Sequence, residues 1–159
     1  MGKGFSKLDP QGHEGKTNTW LTPLWLIDAL GPFDFDPCGF PNHPTAKKIN
    51  TLPIDGLSIH WEGMVWLNPP YGRNIFKWLV KLHNHGNGIA LVFARTDTQW
   101  FHNIRALATD IHFIKGRIKF LKADFTESTN AGHGSMLITF GREADQRVIS
   151  AKHKGLIAV

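Results

Sequence analysis

The stretch "MVWLNPPYG", residues 64–72, decides how the rest of the chain is read. Met64, Val65, Trp66 and Leu67 form an apolar run with the length and composition of a strand. The run ends in Asn68, Pro69, Pro70, Tyr71 and Gly72, and Tyr71 is the only tyrosine in the chain. A strand that needed only to turn has no use for an amide followed by two residues without N–H groups. The prolines fix φ and donate no backbone hydrogen bond, so the loop is stiff and shows carbonyl oxygens outward. Asn68 adds a side-chain acceptor, and Tyr71 adds a flat π surface with a polar tip. In open α/β sheets, ligands bind outside the carboxyl ends of the strands. Fixed acceptors beside an aromatic plate at such a place suit a planar ring that bears an exocyclic amino group.

Working outward, "NIFKWLVKLHNHG" (74–86) predicts a helix, with Ile75, Leu79 and Leu82 at helical spacing and Gly86 near its end. "IALVFA" (89–94) is a continuous apolar strand of the kind buried on both faces of a parallel sheet. "TDTQWFHNIRALA" (96–108) predicts a second helix with Trp100, Phe101, Ile104 and Leu107 as its apolar stripe. "IHFI", "RIKF" and "SMLITF" predict the last strands. Upstream, "TPLWLIDALG" (22–31) has the grammar of a helix: Thr22 as cap, Pro23 at the first helical position, Gly31 as stop. "PFDFDPCG" (32–39) reads as a short strand leaving through Pro37, "AKKIN" as another, and "DGLSIHW" as a single helical turn. Strands that alternate with helices and then follow one another indicate one α/β sheet, mostly parallel with an antiparallel edge.

The 159 residues suit one domain over 19–159, preceded by a polar, glycine-rich flexible arm over 1–18. With 42% hydrophobic and 19% charged residues the chain is globular, which excludes a disordered tail protein. No apolar run is long enough to span a bilayer and no signal core is visible, so the expectation is a cytoplasmic protein without membrane contact. The single cysteine, Cys38, excludes an internal disulfide and fits a reducing compartment. A net charge of +5 favours an acidic partner, nucleic acid being the commonest, or else serves solubility alone. Six tryptophans and eleven phenylalanines leave some rings to spare for base stacking.

Four motifs in this order carry a resemblance: Trp20-Leu21-Thr22-Pro23, Asp34-Phe35-Asp36-Pro37, Asn68-Pro69-Pro70-Tyr71 and Thr96-Asp97-Thr98-Gln99-Trp100-Phe101. The chain resembles the S-adenosylmethionine-dependent amino-methyltransferases with a [D/N]-P-P-[Y/F/W] signature. More closely, it is similar to the small phage-type, Dam-like DNA N-6-adenine methyltransferases, with their W-x-T-P, D-x-D-P and tryptophan-bearing helix. The likeness runs from about residue 20 to 140. NPPY alone is shared with enzymes that act on glutamine and guanine amino groups, and the three motifs together narrow it. The resemblance implies a Rossmann-like methyltransferase fold and S-adenosyl-L-methionine as cofactor. It also implies double-stranded DNA as partner, N6 of adenine as the acceptor and protection of phage DNA from restriction as the purpose.

The same resemblance implies roles for residues. Asn68 and the Pro69 carbonyl accept hydrogen bonds from the adenine amino group, Pro70 stiffens the loop, and Tyr71 stacks on a base flipped out of the duplex. Trp20, Thr22, Pro23, Asp36, Pro37, Cys38, Gly39, Asp55 and Asn68 surround the cofactor. Among them Asp36 lies near the methionine amino group, Gly39 lies against its backbone and Asp55 accepts from its adenine. Asp55 before Gly56 also reads as a helix cap, and Asp34 as either a second cofactor acid or a solvated strand-end carboxylate. Two departures stand out: "FDFDPCGF" lacks a full Gly-x-Gly run, and no acid for the ribose is evident between Gly39 and Asp55.

Lys115, Arg117 and Lys119 recur at every second position, which in a strand puts them on one face and Ile114, Ile118 and Phe120 on the other. They read as a phosphate track or as protection of a sheet edge. Arg73 and Arg95 are placed to meet the flipped nucleotide or its phosphates. The nine histidines show no zinc-like spacing, so no metal site is expected. Sequence readout is left to the 123–134 loop, the terminal arms or a homodimer partner. Two other functions stay open: an amino-methyltransferase acting on RNA or a protein glutamine, and a catalytically idle nucleic-acid-binding module of the same fold.

Overall fold

The computed structural model describes residues 20–128 and 132–159. The arm expected at 1–18 and the middle of the 123–134 loop lie outside the described residues. In chain order the elements are α1 (Leu24–Leu30), β1 (Phe35–Asp36), β2 (Lys48–Ile49), β3 (Val65–Leu67), α2 (Ile75–His85), β4 (Gly88–Phe93), α3 (Gln99–Arg105), β5 (Asp110–Phe113), β6 (Ser135–Phe140) and α4 (Arg142–His153).

The strands form one sheet in the order β2-β1-β3-β4-β6-β5. Pairings from β2 to β4 are parallel, and β6 runs antiparallel to both β4 and β5. The expected Rossmann-like α/β architecture is therefore present. The antiparallel strand sits one position in from the rim, so β5 at the edge again points with the rest.

Strand alternation sorts side chains into two cores. Trp66, Ile89, Leu91 and Leu137 pack with Leu26, Ile27 and Leu30 of α1 and Ala144, Val148 and Ala151 of α4. Val65, Leu67, Ala90, Val92, Met136 and Ile138 face the other way, onto Leu79 and Leu82 of α2 and Phe101 and Ile104 of α3. Burying each such aliphatic side chain is worth roughly 1.5–3 kcal/mol, which fixes the register of the inner strands. Helix α2 ends as its sequence predicts, with Gly86 in the left-handed region at φ 78°.

Four local expectations are corrected. Pro23, not Thr22, stands at the N-cap of α1, and no side chain caps that helix. The "DGLSIHW" stretch makes a turn, with the Ser58 N–H on the Asp55 carbonyl at 3.0 Å, but no helix. Residues 117–120 form no strand, and only Leu121 after them is bridged, to Leu21 and to Glu127. Helix α3 is shorter than expected, so Leu107 falls beyond it and is 40% exposed. Helix α4 had no counterpart among the elements expected from the sequence.

Candidate active site

Chain connections leave β1 toward β2 on one side while β3 lies on its other side, so strand order switches between β1 and β3. Such a switch opens a crevice outside the carboxyl ends of the two strands. Asp36 ends β1 and Asn68 immediately follows β3. Both belong to that crevice, and Thr22, Asp36, Gly39, His43, Thr45 and Asn68 are among the residues lining one small cavity.

Asn68 continues the alternation of β3, on the side of Trp66, and so meets the segment that leads into α1. Its Nδ2 donates to the Trp20 carbonyl at 2.7 Å and to Thr22 Oγ1 at 3.3 Å. The Trp20 carbonyl can only accept, so the orientation of the amide is chemically determined. Both N–H groups are engaged by the fold, which leaves Oδ1 as the atom available to a ligand. The main-chain carbonyl of Asn68 accepts from Cys38 Sγ at 3.1 Å, tying the loop after β1 to the loop after β3.

Asp36 is 3% exposed. It accepts from the Cys38 N–H at 3.0 Å and from the Thr45 hydroxyl. No Lys or Arg pairs with it among the described residues. Burial pushes its carboxyl up to about 6, although the two hydrogen bonds pull the other way. Burial, and then the charge of Asp36, push the Cys38 thiol well up. His43 is held below the usual imidazole range by burial, and its Nε2–H donates to the Thr22 carbonyl at 2.8 Å.

Two glycines are required by this geometry. A Cβ on Gly39 would stand 2.2 Å from Ile49 Cγ2, so its bare backbone lets the β1 exit pack on β2. Gly72 closes the NPPY loop at φ +133°, where a side chain is strained whatever the space.

Tyr71 stacks on Phe93 with ring centroids 4.3 Å apart and planes 14° from parallel. Burial raises its hydroxyl above the usual phenol value, opposed by a hydrogen bond to the Phe93 backbone. Phe93 also meets Trp20 and Phe120 edge-on, at 6.4 and 5.9 Å, and His133 at 5.5 Å. The aromatic plate is thus a wall of several rings. Phe93 is not among the residues that the sequence singles out, and the available signal was its place as the last residue of a strand beside β3.

The remaining candidates are spread around this centre. The Pro37 carbonyl accepts from Asn50 Nδ2 at 3.0 Å and leaves no room for a side chain on Gly56. Asn50 follows β2, where dinucleotide-binding sheets carry the acid for the ribose. Asp55 is exposed, does not line the cavity of Asp36, and accepts from the Leu57 N–H at 2.9 Å as a turn cap. Asp34 accepts from the Met64 N–H at 2.8 Å and pairs with Lys47 at 3.0 Å. The Met64 N–H first, then Lys47, holds its carboxyl below the usual range, and this is a structural pin between strands. Pro69 is buried, and Pro70 is half-buried. Arg73 and Arg95 are exposed on the exits of β3 and β4, with Arg95 Nε 3.8 Å from Asp97. Lys115, Arg117 and Lys119 are exposed while Ile118 and Phe120 are buried, so the alternation holds without a strand.

Among the described residues one group has the spacing of metal ligands, Asp110, His112 and Asp145. It lies at the amino end of β5, on the rim opposite Asn68. His112 Nε2 is 2.8 Å from Asp145 Oδ1, which also accepts from the Thr139 hydroxyl at 3.0 Å, so these groups satisfy one another.

No helix among the described residues is long and apolar enough to cross a membrane. No curated protein and no solved structure was found to match the chain. A family model described as DNA N-6-adenine-methyltransferase (Dam) matches residues 11–157, so the likeness extends past the 20–140 expected and takes in α4. With a match over almost its whole length, and with the NPPY loop and the buried strand-end acid at the switch point of the sheet, the chain belongs to the DNA N-6-adenine-methyltransferase (Dam) family.

Proposed function

We propose that the protein methylates N6 of an adenine that is flipped out of duplex DNA against the NPPY loop. The observation that carries this reading is the state of Asn68. Both of its N–H groups are engaged, by Trp20 and Thr22, so the amide offers an acceptor to whatever lies in front of it. An exocyclic amino group is the partner such an atom needs. The adenine nitrogen is a poor nucleophile because its lone pair is delocalised into the ring. Asn68 Oδ1 and the Pro69 carbonyl, accepting from its two N–H bonds, favour a pyramidal nitrogen and aim the lone pair. The rigid prolines hold these acceptors in place before the base arrives, so orientation is prepaid. Tyr71, backed by Phe93, stacks on the ring, an interaction worth roughly 1–3 kcal/mol in nucleic-acid sites.

The chemistry of the residues in the other half of the crevice suits S-adenosylmethionine. Asp36 is a buried carboxylate without a cation of its own, and the ligand carries positive charge on its ammonium and sulfonium. When bound, it supplies a methyl group already activated for transfer. Asp36, Pro37, Cys38 and the bare backbone of Gly39 would hold its methionine end, with Trp20 and Pro23 beneath. Asp55 would face its adenine from the neighbouring turn. The hydrogen bond from the Cys38 thiol to the Asn68 carbonyl keeps the two halves in register.

The decisive assay supplies labelled S-adenosylmethionine and adenine-bearing duplex DNA, then digests the DNA and looks for N6-methyladenine. Wild type should yield it, and Asn68→Ala should be slower by about 100-fold or more, as for other preorganised catalytic groups. No product from wild type, or equal product from the variant, sinks the reading. Product on RNA or on glutamine alone would replace the substrate class.

A further inference from the structure

Thr22 belongs to the W-x-T-P motif, yet it caps no helix and its hydroxyl points into the protein at 1% exposure. Thr22 Oγ1 accepts from Asn68 Nδ2 and from Trp66 Nε1, both at 3.3 Å, and its carbonyl accepts from His43 Nε2 at 2.8 Å. Pro23 follows with fixed φ as the N-cap of α1, so the threonine is held along the chain and by three groups across it. One partner is enough to satisfy a buried hydroxyl, and Thr22 Oγ1 has two.

We propose that Thr22 is a positioning residue, whose hydroxyl together with the Trp20 carbonyl fixes the Asn68 amide so that Oδ1, not the NH2 group, faces the target amine. This rests on the reading of Asn68 as an acceptor for an amino group. An asparagine amide has two faces related by a half-turn about its last torsion. Only one of them accepts, and the other would point N–H groups at the N–H groups of the substrate. The Trp20 carbonyl excludes that second orientation, because a reversed amide would set oxygen against oxygen there, and the Thr22 hydroxyl gives the other N–H its partner and so anchors the plane of the amide. The distant W-x-T-P and NPPY motifs thus belong to one device, with Thr22 acting through Asn68.

The test compares Thr22→Val, which keeps the shape and removes the hydroxyl, with Thr22→Ser, which keeps the hydroxyl. Thr22→Val should lower kcat by about 10- to 100-fold, leave the Kd for S-adenosylmethionine within about threefold, and Thr22→Ser should recover most of the rate. Thr22→Ala offers the same comparison should the valine variant fail to fold, with melting curves as the check. A readout independent of turnover is the side-chain NH2 signal of Asn68 in nitrogen-15 spectra. It should exchange slowly with solvent in wild type and Thr22→Ser, and lose that protection in Thr22→Val. Unchanged kcat, unchanged protection of the amide, or a loss of cofactor affinity equal to the loss of rate would each overturn the assignment. Failure of the wild type to methylate adenine would strike the proposed function instead, and the amide exchange would still decide the role of Thr22.

Discussion

Asp36 is a residue that the fold alone would not choose. Burial raises its carboxyl from 3.8 to about 6, so the folded chain holds a proton more tightly than the unfolded chain. The stability linked to it is therefore fully present below the unfolded value of 3.8 and is lost as pH rises through about 6. At about 1.4 kcal/mol per unit, the ionised group costs on the order of 2–3 kcal/mol near neutrality. Asp36→Asn should melt higher than wild type at about pH 8, by several degrees for a chain of this size, with the gap closing toward about pH 4. The same variant should bind S-adenosylmethionine more weakly, and wild-type binding should fall as the pH drops below about 6. Scanning calorimetry across pH, with binding titrations beside it, checks both, and a lower melting temperature for the variant near pH 8 would overturn the assignment of Asp36 as an uncompensated acid. The D-x-D-P motif made this residue legible as a candidate. It did not show which carboxylate is the buried one, because alternation puts Asp34 and Asp36 on one face. Asp34 is taken by the Met64 N–H and Lys47, partners far along the chain that spacing alone cannot supply.

At the scale of elements, helices and strands with a complete apolar period were legible, and those that depend on remote partners were not. Helix α2 and strand β4 bury one stripe and both faces respectively, so length and periodicity sufficed. Helix α4 buries only Ala144, Val148 and Ala151, a stripe too small to register against its charged surroundings. Its docking is completed by Arg147, which donates to the Pro32 carbonyl at 2.5 Å and lies over the Phe33 ring. The 117–120 segment alternates as a strand should, but it buries Ile118 and Phe120 without pairing into the sheet. Short β1 and β2 depend on close approach at Gly39, since their paired length is two residues each. Gly39→Ala forces Ile49 aside and should lower stability by about 1–3 kcal/mol, the usual cost of overpacking. Ile49→Ala in the same chain should recover part of that stability. Urea unfolding midpoints of the single and double variants measure this, and simple additivity would show that the two positions do not touch each other.

Across the whole molecule, Trp20, Asp36 and Asn68 are far apart in the chain, and their order gave the family expectation without giving their mutual geometry. The sheet's switch of strand order brings them together, and spacing along a chain does not encode that long-range fact. The same switch organises the surface charge. The chain leaves β5 at the carboxyl rim of the sheet, the rim that carries Asn68, and passes through Lys115, Arg117 and Lys119. It then reaches Phe120, whose ring is 5.9 Å from Phe93 and 5.8 Å from Trp20, and Leu121, paired with Leu21. The three exposed cations therefore line an approach to the aromatic wall of the site. Only Lys119 has an acidic neighbour among the described residues, Glu127 at 3.8 Å, and an exposed pair at that distance is worth little. Residues 117–120 pair with no strand, which favours the reading of these cations as a phosphate track over protection of a sheet edge. Replacing all three by alanine should weaken duplex DNA binding at every sequence tested. It should also flatten the slope of log affinity against log salt by roughly 2–3, about 0.9 for each phosphate no longer neutralised. Fluorescence anisotropy on a labelled duplex over a salt series measures the slope, and the Kd for S-adenosylmethionine should stay at its wild-type value. An unchanged slope would remove these residues from the DNA path and leave Arg73 and Arg95, at the exits of β3 and β4, as the remaining candidates.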